Sequence, residues 1–273
     1  MGYNLKKIGF CYREPLHSHG SYGNDKVILD MVQEKIRDYG YEASVIDLTN
    51  PRNLEFDKYL LVFSMCRSLD NLSILAKRKK KGPVFVNEPL STIMTLRENL
   101  YKVFKKLKLY IPRTSSISIE NEQYDFDFPF WMKRKDYHHI FSEDVVLVRN
   151  NDEYEKAKSY FRSIGYRKVF IQDHIIGKKI KFYGIYSRIS KEIIFFKTAQ
   201  SISKEMEDLI KQIVLTIQKR VSIEVFGGDV IIDKSSVYIV DFNSWPSFKA
   251  CPEEGAQAIA DYGMSLIKYR CSD

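Results

Sequence analysis

Cysteine is scarce, with 4 residues in a chain of 273, at Cys11, Cys66, Cys251 and Cys271, far apart and never in a CxxC pair. That spacing excludes a disulfide-stapled scaffold and a cysteine-built zinc centre, and leaves reduced thiols that mostly fill core. Long apolar runs are missing as well. No stretch approaches the ~18–20 apolar residues a membrane span needs, and the opening MGYNLKKIGFCYREP has no apolar segment fit for a signal peptide. The cytosol is therefore the expected location, with no membrane partner. Glycine (13) and proline (8) are too few for collagen-like or low-complexity sequence, and 44% apolar with 29% charged residues excludes a disordered chain. The length allows no more than two or three domains of ~100–200 residues each.

Acidic residues are the minority charge: 35 Asp and Glu stand against 43 Lys and Arg, a net +8. Such a surface attracts anions, whether small phosphates, nucleic acid or an acidic lipid face. The basic run Lys77 to Lys81 closes a helical stretch, where cations complement the helix dipole, and no DNA- or RNA-binding motif accompanies it. A nucleic-acid partner is not expected.

The first ~90 residues alternate strand and helix signals. KKIGFCY, YEASVIDL, YLLVFSM and PVFVNEP read as strands, and DKVILDMVQEKIRDYG carries apolar residues at helical spacing and ends on Gly40. A polar helix precedes the KRKKKG cluster. This βαβ rhythm predicts a small parallel sheet. Ligands of such sheets bind at the carboxyl ends of strands, so Arg13, His17 and His19, in the loop after the first strand, are candidate substrate contacts. The same loop reads equally well as a solvated connector, and two histidines do not make a zinc site. Residues 90–112 predict one helix with apolar Leu100, Val103, Phe104 and Leu107, ending at Pro112. Beyond it come FPFWMKRK and VVLVRN as strands, a helix over Asp152 to Ser163, the strand-rich VFIQDHIIGKKIKFYGIYS and EIIFFKT, and an amphipathic helix from Lys204 to Lys219. GGDVIID and VYIVDFN then form a strand pair joined by a KSS turn, an antiparallel finish.

That strand pair carries Asp229, Asp241 and Asn243. Asp241 and Asn243 are two apart and point the same way from a strand, and Asp229 lies on the partner strand. Two carboxylates and an amide oxygen form a hard-oxygen set suited to Mg²⁺ that also grips phosphates. Strand-end caps and a turn residue are the alternative reading.

From about Pro89 to the C-terminus, an ordered series of segments resembles the ATP-grasp superfamily. Arg97 stands the expected distance before IPRT, Pro129 to Lys133 matches a "P..vK" strand, Gln172-Asp173-His174-Ile175 matches an adenine hinge, and the Asp229 to Asn243 tail matches "G.D.i…iEvN". The resemblance implies an α+β/α/β chain with the ATP-grasp fold: an N-terminal Rossmann-like βαβ domain over 1–90 and a nucleotide-binding and catalytic region over 91–273. It implies that Arg97 and Lys133 hold the α- and β-phosphates, that Gln172 meets the adenine edge, with the main chain of His174 and Ile175 completing the hinge, and that Asp229, Asp241 and Asn243 hold magnesium, or manganese in its place. Lys181 takes the place of a basic residue facing the phosphates or acceptor, and Lys197 is a further candidate.

Two departures stand out. KRKDYHHIFSED, after the phosphate lysine, lacks the usual glycines, so its grip on the phosphates falls to His138, His139 or Ser142. The last carboxylate is Asp241 where Glu is usual, a variation shared with the inositol trisphosphate 5/6-kinases, which also resemble this chain in FPF..K, in the position of His138 and in the ending DFNSWPSF. Trp245, Ser247 and Lys249 in that ending are further substrate candidates. The resemblance implies ATP-dependent transfer of a γ-phosphoryl group to a small anionic acceptor. An ADP-forming carboxylate–amine ligase is the first expectation and a small-molecule kinase the alternative, with a non-catalytic nucleotide- or nucleic-acid-binding module as the control reading.

Overall fold

A computed structural model describes residues 7–18, 22–49, 55–78, 82–120, 125–137, 141–234 and 236–272, without the side chains of 22–25, 78 and 271–272. The chain forms two compact units that interleave along the sequence: Met1–Thr95 with Lys181–Gly228 and Phe242–Asp273, and Leu96–Ile180 with Asp229–Asp241. No described helix is long and apolar enough to cross a membrane.

The first unit contains the expected parallel sheet. Its strands β1 (Lys7–Cys11), β2 (Glu42–Val45), β3 (Tyr59–Ser64) and β4 (Val84–Val86) lie in the order β2-β1-β3-β4. Alternation along β3 sends Leu61 and Phe63 to one core cluster and Val62 to another. Helix α1 (Tyr22–Asp38) buries the stripe Ile28, Leu29, Val32 and Ile36 in the first cluster, and α2 (Leu69–Arg78) buries Leu72 and Leu75 in the second. Gly40 takes the left-handed conformation, φ 78°, that ends the α1 segment. Cys11, Cys66 and Cys251 are free and buried.

Two helical expectations are corrected. The single helix over 90–112 is two helices, α3 (Pro89–Met94) and α4 (Arg97–Lys106). Thr92 and Thr95 turn their hydroxyls back onto the carbonyls of Glu88 and Thr92, at 3.1 and 2.7 Å, and Leu96 is extended. Such back-bonding competes with continued helix. The chain also does not finish on the strand pair but on α7 (Pro252–Ser272), which packs on α1. Its buried face is built largely of small residues, Gly255, Ala256, Ala260 and Gly263, beside Ile259, Tyr262 and Leu266, so the apolar contrast that marks a helix in a sequence is weak.

In the second unit β5 (Thr114–Ser118), β6 (Phe130–Arg134), β7 (Val145–Val148) and β8 (Lys168–Asp173) form an antiparallel sheet, order β5-β8-β6-β7. Helix α5 (Asn151–Ser163) starts on Asn150, whose side chain accepts from the Glu153 amide at 2.9 Å. Phe161 of α5 packs with Phe130, Met132 and Ile171. β5 escaped the sequence reading because TSSIS has no apolar alternation. A third sheet, order β10-β9-β11-β12, comprises β9 (Lys178–Ser187), β10 (Glu192–Thr198), β11 (Val225–Asp233) and β12 (Ser236–Ser244), and α6 (Lys204–Val221) lies between β10 and β11 in sequence.

Candidate functional site

The site in the second unit starts from the alternation of β6. Phe130, Met132 and Arg134 are buried on one face, which leaves Trp131 and Lys133 half-buried on the other. Register places Gln172 of β8 opposite both Trp131 and Thr114 of β5. Lys133 Nζ donates to Gln172 Oε1 at 2.5 Å, and Gln172 Nε2 donates to Thr114 Oγ1 at 2.9 Å. Both ends of the Gln172 amide are thus engaged by protein groups. Just beyond β8, the Trp131 indole N–H donates to His174 Nδ1 at 3.2 Å, and Asp173 pairs with Arg113 at 3.2 Å.

Arg97 opens α4. A cation at the first position of a helix opposes the macrodipole, so local preference does not place it there. Tertiary contacts do: its amide donates to Asp136 O at 3.0 Å and its Nη1 to Arg134 O at 2.6 Å. Arg134 is itself held in a buried network with Asp136 (2.7 Å) and Asp144 (2.9 Å). Arg97, Lys133, Gln172 and Asp241 line one open cavity of about 40 Å³, with Tyr101 and Phe170 among its apolar walls.

The electrostatics of this cavity are cation-heavy. Burial first, then the positive charges of Arg97 and Lys179, pull Lys133 down from the ordinary 10.5 to about 7, against the carboxylates of Asp241 and Asp229. Burial also lowers Arg97, with Asp241 opposing. Two cations, Arg97 and Lys179, and two carboxylates, Asp241 and Asp229, thus bear on Lys133. Between pH 7 and 10.5 the unfolded chain holds a proton on Lys133 that the folded chain lacks, so stability rises with pH across that window. Lys133→Met should flatten this slope. Lys133 is only half-buried, so the wild-type gain between pH 7 and 9.5 is expected to be about 1–3 kcal/mol, read from urea midpoints. Equal slopes in variant and wild type would refute the depressed Lys133.

Asp229, on β11, is mostly buried, and Lys179 of β9 pairs with it at 2.9 Å. Asp241 and Asn243 lie two apart on β12 and leave the strand on one side. In the first unit Arg13 is buried and donates to the Trp245 carbonyl at 2.6 Å, while Arg67 donates to the neighbouring Ser244 carbonyl at 3.2 Å. Trp245 is wholly buried in the core, Ser247 is half-buried and Lys249 exposed. Trp245 and Phe248 both hold positive φ, 45° and 49°, a strained backbone secured by burial of both rings. His17 ends a single turn of 3-10 helix after β1. Lys181 is exposed, its amide donating to Gln200 Oε1 at 2.9 Å, and Lys197 pairs with Glu254 at 2.9 Å. His19, His138 and His139 lie outside the described residues.

No protein-family model matches the chain, and no curated protein matches it. Solved structures do. A RimK-domain ATP-grasp protein from Sphaerobacter thermophilus DSM 20745 superposes with a TM-score of 0.71 at 14% identity, covering 94% of this chain and 99% of that one. The D-alanine–D-alanine ligase of Bacillus anthracis, in complex with ATP, gives 0.73 at 12% identity over 97% of this chain and 99% of that one. The D-alanyl-alanine synthetase A of Vibrio cholerae O1 biovar eltor gives 0.73 at 8% identity over 97% and 98%. This chain has the ATP-grasp fold.

Within the ATP-grasp fold of this chain the donor chemistry fits a divalent ion of the magnesium kind. Among the described residues no three His, Cys, Asp or Glu side chains form a metal cage. Asp229, Asp241 and Asn243 offer carboxylate and amide oxygens, the donor kind that such an ion takes together with water and phosphate. Sequence reasoning missed Lys179 and Thr114. Lys179 sits two before Lys181 on the same strand, so alternation offered both lysines on one side, but only the sheet order makes Lys179 the partner of Asp229.

Proposed function

We propose that the chain is an ATP- and Mg²⁺-dependent enzyme that transfers the γ-phosphoryl group of ATP to a small anionic acceptor, acting as an ADP-forming carboxylate–amine ligase. The observation that carries this reading is two cations gathered on one cavity, Arg97 and Lys133, both lowered by burial, with Asp241 on its wall. Gathering like charges is unfavourable unless a polyanion completes the set, and a triphosphate does so. Ligase chemistry is favoured over a kinase because one of the similar folds is a D-alanine–D-alanine ligase by name and another a D-alanyl-alanine synthetase.

In this reading Arg97 and Lys133 hold the phosphates, Lys133 being steered by the carboxamide of Gln172. With that amide engaged by Lys133 and Thr114, adenine recognition falls to the main chain of His174 and Ile175 and to stacking near Trp131. Asp229, Asp241 and Asn243 would hold Mg²⁺, which when bound offsets negative charge on the transferred group. The acceptor carboxylate oxygen attacks the γ-phosphorus and ADP leaves; an amine then attacks the acyl carbon and inorganic phosphate leaves. Arg13, His17, His19, Lys181, His138, Ser247 and Lys249 are the residues proposed to contact the acceptor or the phosphates.

Mg·ATP at about 100 times its dissociation constant should stabilise the protein by about 2.7 kcal/mol, read as a rise in thermal midpoint. No shift with Mg·ATP, over a titration to millimolar concentration, would refute the nucleotide site. Product analysis with paired carboxylate and amine acceptors then separates the chemistries, since ADP with an amide supports the ligase and ADP with a phosphate ester the kinase.

A further inference from the structure

Resting on the metal assignment just proposed, the geometry points to Lys179 as a displaceable counter-ion: we propose that its ammonium neutralises Asp229 until a divalent cation takes the carboxylate, so that metal and lysine compete for one group. The two partners differ in freedom. The Lys179 side chain is 61% exposed, whereas Asp229 is 15% exposed. A lysine stem reaching through solvent leaves its partner at little cost, while a carboxylate set in a sheet stays where it is.

The backbone beneath Lys179 is not free in the same way. Gly177, just before β9, lies so close to β11 that a Cβ there would stand 2.4 Å from Ile232 O and 2.7 Å from Ile231 Cγ2. No side chain fits at that position, and the approach pins the start of β9 against the strand that carries Asp229. The strand is therefore held while the lysine stem is the movable part. Lys133 feels the positive charge of Lys179 and the negative charges of Asp229 and Asp241 together, so the displaced ammonium belongs to the same small group of charges as the phosphate-binding residues. A divalent ion on Asp229 would stand close to the ammonium that already sits 2.9 Å from Oδ2, and the two cations repel each other across one carboxylate. Metal binding therefore favours Lys179 swinging off Asp229, and a nearby polyphosphate is the anion that would receive it.

Manganese binding without nucleotide tests this, followed by calorimetry and by the electron paramagnetic resonance of free Mn²⁺. Lys179→Met keeps the stem and removes the charge. The expected result is Mn²⁺ binding about three- to tenfold tighter than wild type, the size of a lost competing ion pair at a largely buried carboxylate. The gain should vanish in the Asp229→Asn background. Equal or weaker binding by Lys179→Met overturns the inference, and so does a gain that persists in Asp229→Asn, which would be a general effect of net charge. Failure of both wild type and Lys179→Met to bind Mn²⁺ would instead refute the metal assignment itself, and the inference with it.

Discussion

Asp241→Asn is expected to fold like the wild type and to lose ATP turnover by about a hundred- to a thousandfold, the range typical of removing one fixed group that faces developing charge. The side chain keeps its size and strand position, and β12 keeps its packing through buried Ile239 and Phe242. What is lost is a negative charge that bears on both Arg97 and Lys133. Stability suffers little, because Lys133, no longer held charged by Asp241, can release its proton into the cavity. Turnover is read as acceptor-dependent ADP release, and folding as the urea midpoint. A variant with wild-type turnover would remove Asp241 from the chemistry, and one that unfolds would make it a structural carboxylate.

Arg188→Met is expected to cost about 3–5 kcal/mol of stability, enough to unfold a marginal domain. In the first unit Arg188 bridges two carboxylates, Glu88 at 2.6 Å and Glu224 at 2.7 Å, and also donates to the Phe85 carbonyl. Glu224 is 1% exposed. Without the guanidinium, two acidic groups remain close together with nothing to offset them. Burial first, and then the charge of Glu88, push the Glu224 carboxyl up to about 7 against the pull of Arg188. The sign follows from linkage. A folded carboxyl raised above its unfolded value of 4.5 holds a proton that the unfolded chain has lost, so its contribution is full below 4.5 and disappears as pH rises through 7. Glu224→Gln should therefore abolish a fall of about 1–3 kcal/mol between pH 5 and 7.5 in wild type, and should recover part of the Arg188→Met loss when the two are combined. Full stability of Arg188→Met across that range would refute the structural role of the guanidinium.

Legibility in the sequence followed the range of the interactions. Three of the parallel strands, β1, β3 and β4, were readable because each is a short apolar run bounded by turns, and the α1 stripe because period 3.6 is a property of consecutive residues. The same holds for Asp241 and Asn243, whose shared direction depends only on the pleat of one strand. β5 and α7 were not readable, one for want of apolar residues in TSSIS and the other because its buried face is largely glycine and alanine, which mark no apolar stripe.

By itself, then, the sequence determined the βαβ rhythm and the strand pair with its oxygen donors, since these are set by local period and spacing, while the ordered segments from Arg97 to Asn243 were legible as a family resemblance. Tertiary structure decided which charges meet. Lys133 and Gln172 are 39 residues apart, Arg97 and the Arg134 carbonyl 37, and Arg13 and the Trp245 carbonyl 232. Their contacts depend on which strands become neighbours and in what register. The same physics committed the Gln172 amide to Lys133 and Thr114, placed Trp245 wholly in the core, and gave Asp229 to Lys179. A side chain's neighbours across a sheet are fixed by strand order, and strand order is settled only when the whole apolar surface of the chain has found its partners.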